Sequence, residues 1–128
     1  MREALGGALS DAGYQVVLAQ RGEEAIARAA IETFDLVVSD IKMPGIDGLQ
    51  AVESVKKQQP SIKSIIVTGY SNKDNTLRAV ELGVSDFLKK PFRLDDFLNR
   101  VKEVLDQRYR ELKQLRELQL LERACLVA

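Results

Sequence analysis

Four short apolar runs punctuate the chain at Gln15–Ala19, Asp35–Ser39, Lys63–Thr68 and Asp86–Lys89, each rich in Val, Ile or Leu. Compact runs of this kind predict strands buried on both faces, as in a parallel sheet. Between them the apolar residues recur at three- and four-residue spacing, which predicts helices over Ala4–Ala12, Glu23–Ile31, Leu49–Lys57, Lys73–Leu82 and from Leu94 onward. Gly13 and Gly83 stand where helices should stop, Asp47-Gly48 opens the middle helix, and Pro60 separates a helix from a strand. Strict alternation of helix and strand predicts an α/β fold with a doubly wound parallel sheet.

The last helix carries Leu94, Phe97, Leu98, Val101 and Leu105 on one stripe, which would pack against the sheet. Beyond Leu105 the pattern changes. Leu112, Leu115, Leu118 and Leu121 recur among interleaved charges, and the expectation is a helical extension or linker over 106–128, a stalk or coiled coil reaching past the sheet. Residues 1–105 then form the folded domain.

Composition narrows the chemistry. A length of 128 residues at 45% hydrophobic content fits one domain. Lys plus Arg equals Asp plus Glu at 19 each, so no net field draws the chain to nucleic acid or an anionic membrane, and no recognition helix for DNA is evident. With no His and one Cys, Cys125, the ligand set for zinc is missing, whereas carboxylates remain for a hard cation. The lone cysteine and the short apolar runs point to a reducing cytoplasm and no membrane span.

In an open parallel sheet, ligands collect at the carboxyl ends of the strands. Asp40, Thr68 and Lys90 stand at three of those ends. A carboxylate beside an ammonium can act as a nucleophile toward phosphorus, because the cation offsets charge on the incoming phosphoryl group, and a hydroxyl can hydrogen-bond its oxygens. Each residue alone has an ordinary explanation, such as a turn cap for Asp40 or a solvated lysine beside Pro91. DIKMPGIDG lacks the ladder of aspartates of an EF-hand loop, and there is no glycine-rich phosphate loop, no Gly-x-Ser-x-Gly elbow and no histidine base. A self-contained enzyme is not expected.

DLVVSDIKMPGIDGL, IIVTGYS and GVSDFLKKPF together closely resemble the receiver domain of bacterial two-component response regulators, over roughly residues 2 to 105. The resemblance implies a flavodoxin-like receiver fold in which Asp40 is the phosphoacceptor, Thr68 the switch hydroxyl, Phe87 the switch aromatic and Lys90 the phosphate-pairing lysine. It implies magnesium held by Asp40 and the backbone carbonyl of Lys42, with Lys42 and Tyr70 tuning phosphate lifetime. The implied partners are a sensor histidine kinase or phosphotransfer protein, and an output domain or partner chain reached through the C-terminal helix.

The family begins with a hydrophobic strand ending in two acidic residues, whereas MREALGGALSDAG already reads as the first helix. That strand lies centrally in the usual order 2-1-3-4-5. Losing about five buried apolar residues would remove roughly 8 to 15 kcal/mol, comparable with a whole domain's stability of about 5 to 15 kcal/mol. The expectation is therefore a receiver fold with its first central strand absent, through truncation or an internal start. Its simplest closure is a four-stranded sheet in which Gln15–Ala19 pairs directly with Asp35–Ser39; exchange with a second chain is the alternative. Without the acidic pair, magnesium binding and phosphorylation should be impaired, and neither Asp11 nor Asp47 is a strong substitute ligand. A phosphorylation-independent interaction or dimerisation module, using the sheet edge or the tail as a homodimer contact, is the competing function. A flavin-binding domain on the same fold is disfavoured by 5% aromatic content.

Overall fold

The computed structural model describes residues 2–69, 72–114 and 124–128. Helix α1 (Arg2–Asp11) buries Leu5 and Leu9, one turn apart, and ends at Gly13, whose φ of 98° lets the chain reverse into β1 (Gln15–Leu18). Then follow α2 (Gly22–Ile31), β2 (Leu36–Ser39), α3 (Gly48–Gln58), β3 (Lys63–Thr68), α4 (Lys73–Leu82), β4 (Asp86–Lys89), α5 (Leu94–Gln114) and β5 (Ala124–Val127). The alternation read from the hydrophobic pattern is present, and the sheet is parallel throughout.

The sheet has five strands in the order β1-β5-β2-β3-β4. This corrects the expected four-stranded closure. Strand β1 does not pair with β2; the C-terminal segment Ala124–Val127 lies between them, with Val16 opposite Cys125 on one side and Leu36 opposite Cys125 on the other. The central position is therefore occupied, by the end of the chain rather than its beginning. The stalk expected over 106–128 is corrected with it: α5 continues to Gln114, and residues 124–127 are strand, not helix. Leu115, Leu118 and Leu121, on which the coiled-coil expectation rested, lie outside the described residues.

Alternation along the central strands divides the core into two layers. Val37, Ile66 and Leu126 face α2 and α3, with Ala25, Val52 and Val55. Leu36, Val38, Ile65, Cys125 and Val127 face α1 and α5, with Leu5, Leu9, Phe97 and Val101. Burial on both faces holds for β2 and for most of β3, but β1 and β4 are half-exposed, because each is an edge strand with one neighbour.

Helix α5 also differs from the expected stripe. Leu94 is exposed at 46%, while Phe97, Val101, Val104, Leu105, Arg108 and Leu112 are buried, a helical face that reaches beyond Leu105. Arg108 sits at a core position because it meets a buried acid. Its Nε donates to Asp35 Oδ1 at 3.1 Å, and its Nη1 donates to the carbonyl and hydroxyl of Ser61 at 3.2 and 3.3 Å. The other Asp35 oxygen accepts the backbone N–H of Ala124 at 2.7 Å. Both carboxylate oxygens are thus engaged, which is the condition for burying a charge without a large penalty.

Candidate functional site

Parallel strands all end on the same side of the sheet, so the residues that follow them gather there. Asp40 follows β2, Thr68 ends β3, Lys90 follows β4 and Ala128 follows β5. Two ladder-like bonds at this rim tie the ends together: Lys90 N–H donates to the Thr68 carbonyl at 2.9 Å, and Ala128 N–H donates to the Val38 carbonyl at 2.8 Å.

The structure brings Asp40 and Lys90 into direct contact. Lys90 Nζ lies 2.5 Å from Asp40 Oδ2, with the side chains 30% and 19% exposed, so the pair is open to solvent on one side. Asp40 Oδ1 accepts the Lys42 backbone N–H at 3.3 Å. Thr68 is fully buried at the end of β3, joined to Lys90 through the backbone bond. Phe87 lies inside β4, three positions before Lys90, and is half-buried against the layer that contains Val52 and Ile66. Tyr70, expected beside the site, lies outside the described residues.

Three features of the rim escape a reading of strand ends alone. Gly48 opens α3 so close to β2 that a Cβ there would stand 1.6 Å from the Asp40 carbonyl oxygen, a clash no side-chain rotation relieves. Gly48 N–H donates to the Ile41 carbonyl at 2.7 Å, folding the chain back after Asp40. Ser39, fully buried, donates its hydroxyl to the Asp40 carbonyl at 2.8 Å, and Glu23 Oε1 from α2 accepts Ile46 N–H at 3.0 Å, pinning the intervening loop. The pattern of a tight Asp-Gly turn hinted at Gly48; nothing in the local sequence singles out Glu23, because it acts across 23 positions.

Asp47 caps α3 through a capping box with Gln50, accepting the Gln50 N–H at 2.8 Å, and it pairs with both terminal nitrogens of Arg78 at 3.0 and 3.2 Å. Partial burial pushes its carboxyl up, but the bonds from Arg78 and the Gln50 amide outweigh this and hold it below the ordinary 3.8. Both Asp47 oxygens are therefore committed to structure. A hollow of about 320 Å³ opens beside it, lined by Ile41, Lys42, Met43, Asp47, Asn72 and Asn75.

The fit to a magnesium ion is incomplete. Among the described residues no three His, Cys, Asp or Glu side chains come together as a metal-binding group. Asp40 is engaged by Lys90, Asp47 by Arg78, and Asp11 ends α1 on the side of the sheet where the strands begin. A hard cation takes six or more oxygen ligands and relies on carboxylates among them, and this donor set offers one, so no step is derived through a metal.

Residues 1–102 match the family described as response regulator receiver domain. The chain is 37% identical over 134 residues to the transcriptional regulatory protein GlrR of Escherichia coli K12, covering 97% of this chain and 30% of that protein. It is 34% identical over 120 residues to the DNA-binding transcriptional regulator NtrC of Salmonella typhimurium, covering 94% of this chain and 25% of the relative. The chain thus spans less than a third of these curated relatives. Among solved structures, a CheY-like receiver domain protein from Methanospirillum hungatei superposes with a TM-score of 0.83 at 32% identity, covering 85% of this chain and 87% of that one. Receiver domains of this family work with histidine kinases and output domains and typically bind magnesium. No helix among the described residues is long and apolar enough to cross a membrane. With its residues matched over most of its length and its sheet superposed on solved receiver domains, the chain belongs to the response regulator receiver domain family.

Proposed function

We propose that Asp40 is a phosphoacceptor and that Thr68 and Lys90 serve the same transfer. The observation that carries this reading is the Lys90 ammonium at 2.5 Å from Asp40 Oδ2, at the rim where ligands of such sheets collect. An Asp40 oxygen attacks the phosphorus of a phosphohistidine, the P–N bond breaks, and its electrons remain on the imidazole, which takes up a proton from water. The Lys90 ammonium offsets charge on the transferred group, and the buried Thr68 hydroxyl offers it a hydrogen bond. Phe87, half-buried and three positions from Lys90, is the side chain whose repacking carries the change toward the surface of β4. The partner for this chemistry is a sensor histidine kinase or phosphotransfer protein in the cytoplasm. A longer regulator would couple it to an output domain. The domain is a substrate and switch in this reading, not an enzyme.

Among the described residues no cluster of three potential ligand side chains forms around Asp40, which argues that transfer is slow in this chain. The test is incubation with phosphoramidate and magnesium beside an Asp40→Asn variant, reading an acid-labile mass gain. Loss of that gain in Asp40→Asn supports the assignment; an equal gain in both chains removes it. The same scarcity of carboxylates favours a second reading, a module that works by binding without phosphate. A monomer at every concentration in sedimentation would count against that alternative.

A further inference from the structure

Among the described residues, the strand bonds that hold β1 in the sheet run to β5, its one strand neighbour there. Strand β5 supplies the whole middle of the sheet between β1 and β2. Cys125, Leu126 and Val127 are completely buried, with Cys125 and Val127 entering one core layer and Leu126 the other. This segment's covalent tie to α5 is residues 115–123. Helix α5 has anchorage besides β5, because it also packs on β3 and β4. The amino end of the segment is received by a site assembled from other elements: Asp35 Oδ2 accepts Ala124 N–H at 2.7 Å while Arg108 of α5 holds Asp35 Oδ1. The carboxyl end is received by Val38, whose carbonyl accepts Ala128 N–H at 2.8 Å.

We propose that the gap between β1 and β2 is a strand-binding site whose ligand is the apolar segment Ala124–Ala128, and that a second copy of this chain supplies that segment in a strand-exchanged dimer. The contacts just described are the same whichever copy brings the segment. A connection of nine residues spans at most about 30 Å, long enough to reach out of its own domain. Each copy carries one gap and one segment, so mutual exchange closes with two-fold symmetry and leaves no sheet position open. Protein concentration then decides between closure within a chain and exchange, since the second is bimolecular. The proposal does not depend on phosphoryl transfer.

The chain's single cysteine provides the readout. Val16 lies opposite Cys125 in register, and both face the layer under α1 and α5, so Val16→Cys places a second thiol where a disulfide can join β1 to β5. The full chain carrying Val16→Cys is refolded at increasing concentration, oxidised with oxidised glutathione, and run on a denaturing gel without reductant. Exchange gives a covalent dimer whose fraction rises with concentration, and mixing tagged with untagged chains gives the mixed species. An intrachain disulfide alone at every concentration overturns the proposal. If Val16→Cys does not fold, sedimentation of the unaltered chain is decisive: exchange gives a dimer at high concentration that Leu126→Asp abolishes. A monomer throughout, or a dimer that survives Leu126→Asp, overturns it.

Discussion

At the scale of single residues, the contact between Lys90 and Asp40 carries the proposed chemistry, and it is also the easiest to perturb. Lys90→Met keeps the length of the side chain and removes its charge. Losing one preorganised charge-stabilising donor typically slows such a step roughly 100-fold, so the expected outcome is a phosphoryl-transfer rate lower by that order while the fold, read by circular dichroism, is retained. Asp47 behaves differently, because its carboxyl is depressed in the folded chain. A group depressed on folding contributes stability above its unfolded value, 3.8, and that contribution disappears as pH falls through the lower folded value. Asp47→Asn retains a capping residue but loses the ion pair with Arg78. Its stability deficit, expected to be below about 1 kcal/mol for so exposed a pair, should appear near neutrality and vanish under acid, as urea midpoints at a series of pH values would reveal. The placement of Asp40, Thr68 and Lys90 at strand ends was legible from the sequence because a strand end is a local feature. Arg108 was not: an arginine amid a charged helix reads as solvated, and only Asp35, 73 positions away, explains its burial.

At the scale of elements, Arg108 and Asp35 act as a joint between α5, β2 and β5. Removing one member of a buried pair leaves the other charge uncompensated, at a cost of about 3–5 kcal/mol. Arg108→Met should therefore lower the unfolding free energy by that order in urea titrations. Adding Asp35→Asn to it should recover part of the loss, since the amide oxygen still accepts from Ala124 N–H without needing a counter-charge. A double variant no more stable than Arg108→Met would mean that the ion pair is not the source of the cost. The helices and first four strands were legible because each has its own period and its own stops at glycine or proline. Strand β5 was not, for a physical reason. ACLV is a run of four following a leucine-rich helical pattern, and a short apolar run buried on both faces looks the same as the end of a buried helix. What makes it a strand is the empty position between β1 and β2, which is tertiary information.

At the scale of the whole molecule, β5 joins the edge strand β1, against which α1 packs, to the block of β2, β3 and β4, and the helix pairs α2–α3 and α1–α5 bridge the two. The burial deficit expected from a missing central strand is met in part by Cys125, Leu126 and Val127, which at about 1.5–3 kcal/mol per fully buried apolar side chain return roughly 5 to 9 kcal/mol. Such a contribution is of the order of a domain's entire stability, so the fold as a unit depends on its last strand. It should also fail unevenly when that strand is disturbed. Leu126→Asp puts a charge into the layer shared with Val37 and Ile66 and should expel β5. The amide of Ala19, which donates to the Val127 carbonyl at 2.8 Å, would then lose its acceptor. The amides of β3 pair between β2 and β4 and lose none. Hydrogen exchange on this variant should consequently accelerate across Val16–Ala19 well before it does across Ile65–Thr68. Equal acceleration in both strands would mean that β1 is held by α1 rather than by β5, and that the sheet unfolds as one unit.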